Sequence, residues 1–169
     1  ALHRNSPSFE YFGPGPDSNE NNETHYRIEE NSYDFTVGLR PLRPFSCGVT
    51  EGLYQPNTGP GHDDVQIGDV FAPGTIPGLL EQADFLRGGF FVQFDNRDVL
   101  GTPRTGGNYV ARFVYYDDRD LKRHSHRRLD LDAQYYIPFF NRKRVLALRA
   151  KTIMTFANGS TVVPFYMQP

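Results

Sequence analysis

Residues 127–157 read RRLDLDAQYYIPFFNRKRVLALRAKTIMTFA, two successive runs in which apolar and polar side chains alternate. In the first run Leu129, Leu131, Ala133, Tyr135 and Ile137 fall on one face, and Asp130, Asp132, Gln134 and Tyr136 on the other. In the second, Leu146, Leu148, Ala150, Met154 and Phe156 share a face, with Arg149, Lys151 and Thr155 opposite. A period of two is a strand signal, because successive side chains of an extended chain point to opposite sides of a sheet. Runs of about ten residues exceed the usual five or six of soluble strands. An apolar face, a charged face and aromatic ends over that length are what a β-barrel in a membrane requires.

The same alternation recurs upstream. Tyr33, Phe35, Val37 and Leu39 oppose Asp34, Thr36, Gly38 and Arg40, and Phe45, Cys47, Val49 and Leu53 form a face that Glu51 interrupts. Leu86, Phe90, Val92 and Phe94 oppose Arg87, Gln93 and Asp95; Tyr109, Ala111, Phe113 and Tyr115 oppose Asn108 and Arg112. The pattern predicts six antiparallel strands over 33–40, 45–54, 85–94, 107–116, 128–138 and 144–157, each paired with its sequence neighbours. The fold class is therefore all-β, an up-and-down meander forming part of a transmembrane β-barrel, with 1–169 as one partial domain. Segments 1–24 and 55–84, rich in Gly, Pro, Asn and acidic residues, read mainly as loop, with a short strand around Phe9 to Phe12. Tyr26 and Ile28 have the opposite parity to Tyr33, so a strand covering both predicts a bulge near Glu29 to Ser32. RPLRP at 40–44 and PFFNRKR at 138–144 read as short turns. Short or Pro/Gly-constrained connections then alternate with long or heavily charged ones, as expected when turns lie on one side of a membrane and loops on the other.

Composition bounds the alternatives. The 14 Phe, 10 Tyr, 16 Gly and 13 Pro of 169 residues suit many strands joined by turns. A net charge of −2 gives no reason to expect nucleic acid as a partner. No apolar run approaches the ~18 residues of a transmembrane helix, while a mean hydropathy of −0.57 is compatible with a barrel, in which only alternate residues meet lipid. The single Cys47 rules out an internal disulfide and a cysteine-built metal site. The chain starts Ala-Leu-His, without an initiator Met or signal-peptide pattern, and reads as a piece of a longer protein.

The segment FDNRDVLGTPRTGG, residues 94–107, resembles the D-x-R-D … P-x-x-G turn of the bacterial surface-antigen outer-membrane barrel family, whose members include BamA, TamA and two-partner secretion transporters. FGPGPDSNENNETHYR at 12–27 is similar to that family's approach to a strand, YYIPFFNRKRVLALRAK at 135–151 to its late hairpin, and VPFYMQP at 163–169 to the lead-in of its inward-folded loop. The resemblance implies about six middle strands of a sixteen-stranded barrel in the bacterial outer membrane. It implies no enzyme and no cofactor, and work in outer-membrane protein assembly, insertion or translocation. The partners it implies are outer-membrane lipid and client proteins or assembly-machinery subunits. Two other readings remain: a soluble all-β binding module such as a lectin-like or carbohydrate-binding sandwich, and a barrel that anchors or exports an attached enzyme.

Among individual residues, Asp95, Arg97, Asp98, Pro103, Arg104 and Gly106 are expected to clasp the turn through ion pairs and carboxylate-to-backbone bonds. Asp130, Asp132, Arg149 and Lys151 share the polar face and are expected either to pair across strands or to line a hydrated interior. His124 and His126 flank Ser125 near Asp117, Asp118 and Asp120, but no third metal ligand is fixed by spacing, so a solvated loop is expected. His62, Asp63 and Asp64 lack a spaced set of oxygen ligands. No nucleophile elbow occurs, and in GPGP at 13–16 prolines stand where a phosphate loop needs amide donors.

Overall fold

The computed structural model describes all residues except 14, 16, 17, 62–64, 73, 80, 142 and 169; the His62–Asp63–Asp64 triplet and the prolines of GPGP thus lie outside the described residues. Seven strands form one antiparallel sheet in sequence order. They are β1 (Leu2–Tyr11), β2 (Thr24–Leu42), β3 (Phe45–Pro60), β4 (Phe85–Asp95), β5 (Gly106–Asp118), β6 (His126–Phe139) and β7 (Arg144–Ala157). The only α-helix among the described residues is α1, Ile67–Val70. The sheet curls into a half-barrel, and side chains from β2 through β6 line one concavity.

All six expected spans lie within strands. Two loop expectations are corrected: 2–11 is a full strand rather than a short one around Phe9, and β3 continues to Pro60. Sequence patterning missed both because their outward residues are polar, so neither alternates against an apolar face. The RPLRP turn also shrinks to residues 43–44, since β2 runs on to Leu42.

Residues directly opposite each other across a ladder share a face. One outward row runs Val37, Val49, Phe90, Phe113, Leu129, Met154, and the next runs Leu39, Cys47, Val92, Ala111, Leu131, Thr152. An inward row between them runs Gly38, Gly48, Phe91, Arg112, Asp130, Ile153. Gly48 is required there, because an added Cβ would lie 2.6 Å from the Phe91 ring that covers it. Leu129, Leu131, Tyr135, Leu146, Leu148 and Phe156 all point outward, and Asp130, Asp132, Arg149 and Lys151 inward.

The bulge expected near Glu29 to Ser32 does not exist: β2 and β3 pair without a shift from Tyr26 to Leu39. Parity changes there because the apolar side changes. From Tyr33 downward the apolar residues face out, whereas Tyr26 and Ile28 face inward, where Ile28 is buried and Tyr26 packs on a small core at the loop end. β1 pairs only with residues 24–32 of β2, and its outward residues His3, Asn5 and Glu10 are as polar as their partners Asn31, Glu29 and His25. The lower half of β2, in the apolar band, has no partner on that side.

Among the described residues, no second layer covers the outward apolar side chains. Phe35 and Leu39 are each 70% exposed and Val49 60%. Along β7 the band runs from Leu146 to Phe156; ten steps of ~3.4 Å, tilted by ~40°, give a height of roughly 26 Å. The turns after Leu42, Asp95 and Phe139 lie at one end of the sheet, and the connections after Tyr11, Pro60 and Asp118 at the other. At that loop end the chain beyond β7 folds back inward. Val163 and Met167 pack with Ala83, Phe85, Val114 and Tyr116, while Phe165 packs with Ile67, Ile76 and Leu79.

Candidate functional site

The inward face carries charged residues in a sequence of local pairs. Arg87 of β4 reaches the Asp34 carboxylate and Ser32 hydroxyl of β2 and lies 5.4 Å from the centre of the Tyr54 ring. Tyr54 donates to Glu30 at 2.8 Å, and Arg4 of β1 stands 3.8 Å from the same carboxylate. Across the sheet, Arg128 donates to Asp130 at 2.8 Å. Asp34, Arg87, Arg128 and Asp130 of these groups line a concavity of about 480 Å³ formed by β2 to β6. Its floor includes Phe91 and Arg112, and the aromatic layer of Tyr54, Phe85, Tyr116 and His126 lies at its loop end.

The four charges singled out from sequence occupy this inward face. Arg149 bridges to Asp132 on the neighbouring strand, with Nε donating at 3.0 Å, and Lys151 stands directly opposite Asp132. Asp130 takes its partner from its own strand, two residues away, rather than from β7. Sequence parity had already placed Arg87 and Arg112 on the polar side. What it could not supply was the curl, which brings them from separate strands to one concavity.

At the turn end, the residues around 95–106 form a tight arrangement. Arg97 grips the Asp95 carboxylate with Nε at 2.8 Å and a terminal nitrogen at 2.7 Å. Asp98 accepts the backbone N–H groups of Val99, Arg104 and Thr105 at 2.9, 2.9 and 3.3 Å. Those bonds, the one from Arg104 foremost, hold the Asp98 carboxyl below its usual range. Arg104 therefore contributes its backbone; Pro103 is half-buried beside it. Gly106 has φ of +90°, and a Cβ there would collide with the Asn96 carbonyl.

The loop 119–125 departs from expectation. His124 and His126 are 4% and 1% exposed, so they are not part of a solvated loop. The cause is Asp118, fully buried at the loop end of β5, beyond the apolar band. Its Oδ1 accepts from the backbone N–H of Asp120 and Leu121 at 3.1 and 2.9 Å, and its Oδ2 from those of Arg123 and His124 at 3.0 and 3.1 Å. Burial pushes this carboxyl up, but the four N–H bonds outweigh it and leave the pKa below the usual carboxylate range. The ordered loop then ties down the C-terminal strap: Val162 N–H donates to Arg123 O at 2.9 Å, and His124 Nδ1 donates to Val162 O at 2.8 Å. His124 Nε2 meets Glu81 Oε2 at 2.8 Å. His126 stacks on Tyr116 at 4.7 Å and donates from Nδ1 to His124 O. Burial holds its pKa below that of a free imidazole.

The metal geometry weighed from sequence, with His124 and His126 facing one ion, does not form: each imidazole is engaged with a different neighbour. Among the described residues, donor atoms of Glu10, Glu23 and His25 do come within 4.8 Å of one another, Glu10 and His25 being opposite each other in the β1–β2 ladder. Both carboxylates are exposed, and such groups are common at protein surfaces without an ion. Among the described residues, no helix is long and apolar enough to cross a membrane. The chain matches no family model, no curated protein and no solved structure.

Proposed function

We propose that this chain is the membrane-embedded wall of a bacterial outer-membrane β-barrel of the BamA/TamA surface-antigen type, with a non-enzymatic role in outer-membrane protein assembly, insertion or translocation. The observation that carries the reading is the two-sidedness of the sheet. A band of uncovered apolar side chains about as tall as a thin hydrocarbon core lies on the outside, and paired charges lie on the inside. Water is a poor solvent for the first surface and lipid for the second, so the sheet fits a wall between the two. Short or Pro/Gly-constrained connections at one end and long or heavily charged ones at the other agree with barrel topology. In lipid the free edges of β7 and of the lower half of β2 find hydrogen-bond partners only in further strands, so the wall requires closure by chain outside these residues. Client proteins or assembly subunits would meet the hydrated inner face. The soluble-sandwich reading lacks a second layer over the outward band.

Light scattering separates the two. Without detergent, residues 1–169 are expected to aggregate through the exposed band and open edges; in detergent they are expected to disperse. A monodisperse monomer near 19.3 kDa in plain buffer, unfolding cooperatively, overturns the proposal. A fluorophore on Cys47, which lies on an outward row between Leu39 and Val92, gives a second readout. It is expected to be quenched by brominated lipid in vesicles and spared by aqueous iodide; the reverse pattern also overturns the proposal.

A further inference from the structure

Within the concavity of the inward face the charges do not balance. Three guanidinium groups line it, Arg87, Arg112 and Arg128, against two carboxylates, Asp34 and Asp130. Each carboxylate is already committed: Asp34 to Arg87, and Asp130 to Arg128. Arg112 stands between Phe91 on β4 and Asp130 on β6 in the ladder, yet makes no hydrogen bond or ion pair with any described residue. Arg112 is also exposed and lines the concavity, so its five N–H donors are open to a ligand there.

We propose that Arg112 is the anchor of a carboxylate-binding site in this concavity, taking a monoanionic guest that lays an apolar or aromatic group on Phe91. The inference deepens the barrel reading by naming the chemistry its inner wall recognises. A planar guanidinium matches a carboxylate through two parallel N–H···O bonds. One surplus positive charge compensates one negative charge. A phosphate dianion would meet the carboxylates of Asp34 and Asp130 with only that one surplus charge to hold it. The Phe91 ring, which covers Gly38 and Gly48, offers an apolar surface beside the cation. About 480 Å³ accommodates an aromatic acid or a few residues of an extended peptide. The carboxylate could come from a free small molecule or from an acidic side chain of a polypeptide, and the same residue serves both.

The test is a titration of the protein, folded in detergent micelles, with 4-fluorobenzoate followed by ¹⁹F NMR. The amide 4-fluorobenzamide is run in parallel, and the Arg112 Nε resonance is followed by ¹⁵N NMR. Saturable binding of the acid, movement of that resonance and no binding of the amide are expected. Arg112→Gln should weaken binding roughly ten- to a hundredfold, the value of bonds to a charged group. Arg144→Gln, on the outward face, should bind as the parent does. Because Arg112 is exposed and makes no hydrogen bond or ion pair with a described residue, R112Q is expected to fold, and the Nε shift tests the unmutated protein in any case. A capped pentapeptide with one Asp, and its Asn counterpart, compete against 4-fluorobenzoate to distinguish a polypeptide source from a small-molecule one. Absence of acid binding, equal binding of acid and amide, or undiminished binding by R112Q each overturns the inference. A protein that disperses in micelles as expected but ignores the acid fails here alone, leaving the barrel reading intact. One that is a soluble monomer fails the barrel reading, and the titration can then be run in plain buffer.

Discussion

Replacing Asp118 with Asn changes one buried atom group and tests how the loop end is held. Asn keeps an acceptor where Oδ1 serves Asp120 and Leu121, but puts an NH₂ where Oδ2 serves Arg123 and His124. Two backbone N–H groups then face a donor in a site that is fully buried. Bonds to a charged group are worth about 1.5–3 kcal/mol each, and orphaned donors cost a similar amount. Because 119–125 can open to water and recover part of the loss, the expected destabilisation is about 3–4 kcal/mol, a large share of the ~5–15 kcal/mol of a typical domain. Urea unfolding in detergent measures the change, and amide exchange at Arg123 and His124 localises it. Asp117→Asn is the control: among the described residues its carboxylate accepts one long hydrogen bond, from Ser125 Oγ at 3.4 Å, and the change should cost under about 0.5 kcal/mol. The pH dependence has a definite sign. The folded pKa of Asp118 is depressed, so its stabilisation is complete above the unfolded value of about 4 and is lost as pH falls through the folded value. D118N should lack that acid-side loss. If D118N and D117N unfold within about 0.5 kcal/mol of each other, and exchange at Arg123 and His124 is unchanged, the reasoning about Asp118 is wrong.

Three other outcomes are expected. Gly106→Ala forces a side chain onto the Asn96 carbonyl at φ +90° and should cost about 2–3 kcal/mol in a urea midpoint, against under about 0.5 kcal/mol for Gly101→Ala, whose Cβ would meet nothing within 4 Å. Ala150→Arg, on the outward face near mid-band, should destabilise the protein in lipid vesicles by about 2–4 kcal/mol, while Ala147→Arg, on the inward face, is tolerated; equal effects would contradict the assignment of faces. His126 binds its proton less readily folded than unfolded, because burial and the nearby Arg128 and His124 oppose its charge and Nε2 has no acceptor. Its contribution is complete above about pH 6.5 and declines as pH falls from there toward the folded value, so the parent should lose stability in that window and His126→Phe should not.

Much of this architecture can be read from parity. Leu129 to Ile137 and Leu146 to Phe156 announce their strands because one solvent faces each side along the whole run. The signal fails where the solvents change. In the upper part of β2 the apolar residues Tyr26 and Ile28 turn inward, which in sequence mimics a bulge, and β1 with its polar outward side leaves no period at all. The turn around Asp98 was foreseeable from Asp, Pro and Gly at fixed offsets, since its bonds are local. The burial of His124 and His126 was not. It depends on a strap some forty residues later returning to the loop end, and DDRDLKRHSHRR has the composition of a solvated loop. Arg112 was placed on its face by parity. Its lack of a counter-ion emerged only when Asp34 and Asp130 were seen to be engaged elsewhere.

The uncovered outward band has a consequence for how this chain tolerates substitution. Trimming Phe85 to Ala would leave a void among Tyr54, Tyr116 and Val114, with the cost of about 3–5 kcal/mol that a rigid core imposes. Trimming Phe35 or Leu39 leaves no void, since both are 70% exposed and, on the reading proposed above, a fluid lipid neighbour moves in. Along the band the sequence is thus constrained in polarity but hardly in shape, and can drift freely among Leu, Val, Ile and Phe. Shape is fixed only at the loop-end core, the glycine lane beneath Phe91 and the Asp98 turn.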